Sequence, residues 1–150
     1  MSEEVVVRRA RPEDGAALLS MLGRLAEHER ATEPPRLNEN DLARDVFGLQ
    51  PRLHIAVAVN ADDLPIGFIS AFENYSSWEG KSGLHISDLW VETQARGNGV
   101  GAALIDQMRA WFPNRRIDAY VVRTNEARGF YERYGFAHES GWCLYRLPSD

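Results

Sequence analysis

The segment of this chain best suited to holding an anion is Arg96-Gly97-Asn98-Gly99-Val100-Gly101. Glycine has no Cβ, so it permits positive φ and close approach of a ligand to the backbone. A helix starting there adds unpaired N–H groups and the positive end of its dipole, so a pyrophosphate fits such a cradle. A glycine-rich turn can also do no more than end a strand, and the glycines alone leave both readings open. The two best-known phosphate loops do not match. A nucleoside triphosphate loop carries Lys-Ser or Lys-Thr after its last glycine, where this chain has Ala102-Ala103. A Rossmann turn opens the first βαβ unit, whereas four strands are expected ahead of this one.

Metal and thiol chemistry have weaker support. His28, His54, His85 and His138 lie in separate segments without the close spacing of a metal-binding helix motif, so no metal is expected. Cys143 falls in a segment expected to be a strand and reads as a buried apolar side chain rather than a nucleophile.

The elements that must position the glycine turn follow from hydrophobic periodicity. Val5-Val6-Val7 reads as a strand, and Pro12-Glu13-Asp14 opens a helix to about Glu29 carrying Leu18, Leu22 and Leu25 on one face. Pro34-Pro35 forces a loop. Asn38 and Asp41 resemble a capping pair for a second helix, which should run to Phe47 and stop at Gly48. Strands are expected at Leu53 to Val59, Ile66 to Asn74 and Leu84 to Glu92, with short links that favour antiparallel neighbours. In the third, the apolar parity changes between Ile86 and Leu89, which implies a bulge. A helix from Val100 stopped by Pro113, a strand from Ile117 to Val122, a helix from Asn125 to Tyr134 and a strand from Gly141 to Leu147 complete the order.

At 150 residues and 44% hydrophobic content the chain is expected to form one domain over 1–150. A net charge of −5 repels polyanions, so nucleic acid is a poor partner. The opening MSEEVVVRRA contains no signal-like apolar run and no stretch is long enough to span a bilayer, so a cytoplasmic protein without a membrane partner is expected.

The glycine turn resembles the Arg/Gln-x-x-Gly-x-Gly/Ala signature of the GNAT superfamily of N-acetyltransferases. Asn125 to Phe136, with Phe130-Tyr131 and Gly135-Phe136, is similar to the second motif of that family. Leu25 to Glu29, Leu42 to Gly48, Tyr75 to Gly80, Asp88 to Val91 and Gly141 to Tyr145 resemble the spermidine/spermine (diamine) acetyltransferase-like branch. The resemblance implies an α/β GNAT fold, with a central mixed, mostly antiparallel twisted sheet of about six strands and about four flanking helices. It also implies acetyl-coenzyme A as cosubstrate and a homodimer.

On this resemblance the amine attacks the thioester directly, and Tyr131 protonates the departing thiolate. Leu89, Trp90, Val91, Arg96, Gly97, Asn98, Gly99, Val100, Gly101 and Asn125 bind the cofactor. Glu29, Trp78, Ser87 and Asp88 surround a small-molecule amine, with Asp88 the first choice to hold the ordered water or the cation, ahead of Glu29 and His85. Tyr131 could instead be a packing aromatic, Glu29 a helix cap and Trp78 a loop-packing residue. Two departures stand out. Ser87 replaces the family glutamate before Asp88, and Ser76 replaces an acid in the loop before Trp78, so lysine-like amino acids stand beside polyamines as acceptors. The alternative outside catalysis is a degenerate acyl-coenzyme A-binding or sensing module.

Overall fold

A computed structural model describes residues 5–123 and 126–149. They fall into two units that meet in sequence at Tyr120 and Val121.

In the first unit, β1 (Val6–Arg9), β2 (His54–Val59), β3 (Pro65–Ser76), β4 (Lys81–Val91) and β5 (Ile117–Ala119) form one sheet in the order β1-β2-β3-β4-β5. The pairs from β1 to β4 are antiparallel, and β4 pairs with β5 in parallel. The helices are α1 (Gly15–His28), α2 (Glu39–Asp45) and α3 (Val100–Trp111). This is the mixed, mostly antiparallel architecture expected from the sequence, with five strands among the described residues in place of about six.

Each element begins where local chemistry allows it. A tight turn at Pro12–Asp14 precedes α1, and the Asp14 carboxylate there accepts hydrogen bonds from Arg8 Nη1 and the Arg11 N–H, each at 2.7 Å. Asn38 caps α2 reciprocally with Asp41, at 3.0 and 3.2 Å, as its sequence spacing predicts.

Strand alternation sorts the core onto two faces. Ile55, Val57, Phe68 and Trp90 pack with Leu18, Met21 and Leu25 of α1 and Leu42 of α2. On the opposite face Gly67 comes so near the α3 side that an added Cβ would lie 3.4 Å from Val100 and 2.9 Å from the Trp90 carbonyl oxygen. Ile69 and Ala71 share that face with Gly67 by alternation and are fully buried. Burying an isoleucine such as Ile69 contributes roughly 1.5–3 kcal/mol of hydrophobic stabilisation before entropy is counted.

The implied bulge is present. Ser70 pairs with Asp88 and Ala71 with Ile86, so Ser87 is the extra residue. The insertion resets parity and puts Asp88 on the α1 face with Ser70 and Trp90.

In the second unit α4 (Ala127–Tyr134) ends at Gly135, whose φ of 126° few other residues accept. The Phe136 N–H closes the turn on the Tyr131 carbonyl at 2.9 Å. Three expectations need correction. The strand expected over Ile117 to Val122 stops at Ala119. Gly141 to Leu147 forms no strand among the described residues, because alternation gives a segment strand character but only a ladder partner makes it a strand. Cys143 in that segment is exposed rather than buried. Asn125, expected to begin the last helix, lies outside the described residues.

Candidate active site

The glycine turn adopts the conformation that its composition calls for. Gly97 and Gly99 have φ of 82° and 78°, in the left-handed region, and a Cβ on either would meet nothing within 4 Å. Gly99 is the N-cap of α3 and offers no side chain to the first helical N–H groups. Helix geometry leaves those groups without intrahelical acceptors, so the turn presents backbone donors to open space. That arrangement fits the pyrophosphate of a coenzyme A thioester. Arg96 is fastened beside it, with Nε donating to the Val91 carbonyl at 2.9 Å and its guanidinium 4.6 Å above the Trp90 ring. Asn98 turns its amide nitrogen back to the carbonyls of Ala95 and Arg96.

The strand leading to the turn has a second property that suits a long ligand. Pairing between β4 and β5 is confined to Leu84–Ile86 and Ile117–Ala119, so β4 beyond the bulge runs from Asp88 to Val91 without that neighbour. Trp90 itself is buried, its indole N–H donating to Glu92 Oε1 at 3.2 Å. Any contact it makes with a thioester arm is therefore through its backbone.

Asp88 is half-buried and accepts a hydrogen bond from Ser70 Oγ at 2.9 Å. Burial pushes its carboxyl above the ordinary aspartate range, and the Ser70 bond only partly opposes that. Glu29, at the C-cap of α1, is raised too, first by partial burial and then by the charge of Asp88, against the opposing effect of His28. The charge of Asp88 therefore reaches Glu29. The carbonyl end of α1 adds negative potential at the same place, where His28 packs edge-on against Trp90 at 5.7 Å.

Beside Asp88 lies a cleft of about 360 Å³, with Leu25, Pro35 and Leu37 as apolar wall and Arg36, Ser87 and Asp88 as polar groups. Ser87 is exposed there, carried outward by the bulge. His85 is held between Phe72 and Tyr120, with ring centroids 5.0 and 4.7 Å away, and burial lowers its pKa.

Trp78 does not join this group. It is 93% exposed in the turn between β3 and β4. Ser76 is six ladder positions from Ser70, which at strand rise is roughly 20 Å. The Trp78 indole, two residues beyond Ser76, therefore cannot cover an ammonium held at Asp88 of the same chain.

In the second unit Tyr131 sits half-buried on α4, edge-on to Phe130 and Phe136 with centroids 5.4 and 5.2 Å away. Among the described residues no group of three or more acidic, histidine or cysteine side chains is placed to hold a metal ion.

Sequence reading missed Ser70 and Arg36. Ser70 stands as a lone hydroxyl in the apolar run Phe68-Ile69-Ser70-Ala71-Phe72, which is the signal that could have marked it. Arg36 sits in an irregular loop, and only the folded chain brings it to the cleft.

The model of the Acetyltransferase (GNAT) family matches residues 17–136, from α1 through Phe136. The chain belongs to this family. The GNAT enzyme is 29% identical to thialysine N-epsilon-acetyltransferase of Bos taurus and of Mus musculus. The match spans 65% of the bovine protein's length and 92% of the mouse protein's, and 69% and 96% of this chain. It is 31% identical to the peptidyl-lysine N-acetyltransferase YjaB of Escherichia coli (strain K12), over 88% of this chain and 82% of that one. A crystal structure described as a probable acetyltransferase superposes with a TM-score of 0.78, covering 97% of this chain and 98% of its own, and at 22% identity it speaks for the fold alone. The enzyme is thus an N-acetyltransferase acting on an amine, with the α/β GNAT architecture expected from its sequence. The family uses acetyl-coenzyme A as cosubstrate.

Proposed function

We propose that the enzyme takes its acetyl group from acetyl-coenzyme A and delivers it to a primary amine of a small molecule, a polyamine or a lysine-like amino acid, by direct attack on the thioester. The observation that carries this is the placement of Asp88, which shares one strand with the approach to the glycine turn and one cleft with the end of α1. An ammonium drawn to Glu29 and Asp88 is then held a few residues from the place where the thioester arm would lie.

When bound, acetyl-coenzyme A supplies the activated carbonyl. The backbone from Gly97 to Gly101 holds the pyrophosphate, with Arg96, Asn98 and Val100 completing the turn. Leu89, Trp90 and Val91 line the pantetheine arm with their backbone, and Asn125 hydrogen-bonds it. Asp88 holds the acceptor cation, or the water that takes its proton, with Glu29 in support. Ser87 borders the acceptor but cannot act as the base. Tyr131 gives its proton to the departing thiolate.

Residues 1–150 act as one catalytic domain in this scheme, supported by a family match that runs across both units. We take the enzyme to be a homodimer, which sedimentation would overturn by giving a 16.9 kDa particle at micromolar concentration. We place it in the cytoplasm, in keeping with a sequence whose single cysteine allows no internal disulfide. Among the described residues no helix is long and apolar enough to cross a membrane.

Thiol release from acetyl-coenzyme A, measured with a panel of primary amines, tests the proposal. Amine-dependent release is expected. Coenzyme A binding without release under any amine would instead establish a binding or sensing module.

A further inference from the structure

The cleft beside Asp88 carries charge of both signs. The Asp88 carboxylate lines it from β4, next to the C-terminal end of α1 where Glu29 sits, while Arg36 lines the same cleft from the loop between α1 and α2. A site shaped for a polyamine has no use for a guanidinium, because every ammonium along such a chain is repelled by it. The contrast deepens at Ser87, which lines the cleft with a neutral hydroxyl.

From this juxtaposition we infer that Arg36 binds a carboxylate of the acceptor, so that the substrate class is a zwitterionic amino acid with a side-chain primary amine rather than a polyamine. The inference rests on the acetyl-transfer reading given above and narrows it. The amine goes to Asp88 and Glu29, and the α-carboxylate goes to Arg36. The Leu25, Pro35 and Leu37 wall takes the methylene chain between them. At about 360 Å³ the cleft lies within the range of small-molecule sites.

Arg36 has a partner of its own, and that partner does not consume it. Glu33 approaches its Nη2 at 3.5 Å, with the two side chains 74% and 86% exposed. Exposed pairs of this kind contribute little, and a guanidinium has five donors in a planar fork that suits bidentate capture of a carboxylate. A lysine side chain at this position would offer three rotatable donors on a point charge, without that planar fork.

Lysine and 1,5-diaminopentane differ only by the α-carboxylate, and lysinamide restores the α-carbonyl as a neutral amide without the negative charge. The wild-type enzyme is expected to show kcat/KM for lysine above that for either analogue. Arg36→Ala should lower the lysine-to-diaminopentane ratio by roughly tenfold or more, the value of a charged hydrogen bond lost. Arg36→Glu should reverse the preference, and being an exposed loop substitution it should leave the melting temperature in place. A wild-type ratio near one, or a ratio that survives both substitutions, overturns the role of Arg36 while leaving acetyl transfer standing. Absence of thiol release with all three amines, and with the wider panel, would instead overturn the acetyl-transfer reading beneath it.

Discussion

Ser70 Oγ donates to Asp88 Oδ2 at 2.9 Å across paired positions of β3 and β4, immediately before the register of that pair shifts. Ser70 is only 1% exposed, so its hydroxyl needs a partner inside the fold, and the carboxylate supplies one. The bond fixes the rotation of the Asp88 side chain. A bulge turns the residue toward α1 and a buried hydroxyl holds it there, so two independent features aim one carboxylate at the cleft.

Asp88→Asn should reduce turnover by about tenfold or more, since an amide can neither take a proton nor hold a cation. Stability should move the opposite way. The folded-state pKa of Asp88 lies above its ordinary value of 3.8, so the fold favours the protonated form and loses stability as pH rises through the raised pKa. Asparagine escapes that loss. Its melting temperature should exceed the wild type's at neutral pH and converge with it toward and below pH 3.8, which thermal unfolding across pH will check.

Gly99→Asn tests the anion cradle without the folding penalty of a branched residue. Asparagine tolerates the left-handed region in which Gly99 sits at φ 78°, and its Cβ would enter the open space in front of the turn. Calorimetric titration should show coenzyme A binding weakened by about tenfold with the circular dichroism spectrum retained, because the side chain occupies the room a phosphate needs. Undiminished affinity in a folded variant would falsify the cradle.

Tyr131→Phe keeps the ring that packs between Phe130 and Phe136 and deletes only the hydroxyl. Single-turnover acetyl transfer should slow by roughly 10²-fold while coenzyme A affinity stays near its starting value. Pre-steady-state measurement is the right readout, since slow product release would hide the effect in kcat.

Ser87→Glu restores the acid that the related branch carries. The side chain is exposed, so folding should tolerate the change, while the added charge should raise kcat/KM for spermidine relative to lysine. An unaltered ratio between those two acceptors would show that position 87 has no part in reading acceptor charge.

Much of this was legible in the sequence because it depends on local rules. The parity change between Ile86 and Leu89 announced the bulge, Asn38 and Asp41 announced the α2 cap, and the alternate glycines announced the left-handed turn at Gly97 and Gly99. The failures all involve distance or a partner. Trp78 was grouped with Asp88 by resemblance, but the length of β3 and β4 separates them. Gly141 to Leu147 has the apolar character of a strand without a ladder among the described residues in which to use it. Arg36 was invisible for the same reason, and the lone hydroxyl of Ser70 could mark its position but not its partner, since their importance comes from groups 52 and 18 residues away in the chain.

The extra residue in β4 also bears on how such an enzyme can change over evolutionary time. Ser87 has no opposite number in β3, and its side chain points away from the packed interior. Mutations there meet little resistance from the rest of the molecule, whereas Asp88, one step along, is tied to Ser70 and to the burial around it. Adjacent positions are thus under unequal constraint. A lineage could trial acids, hydroxyls or bases at position 87, testing new acceptors while the carboxylate beside it stays in place.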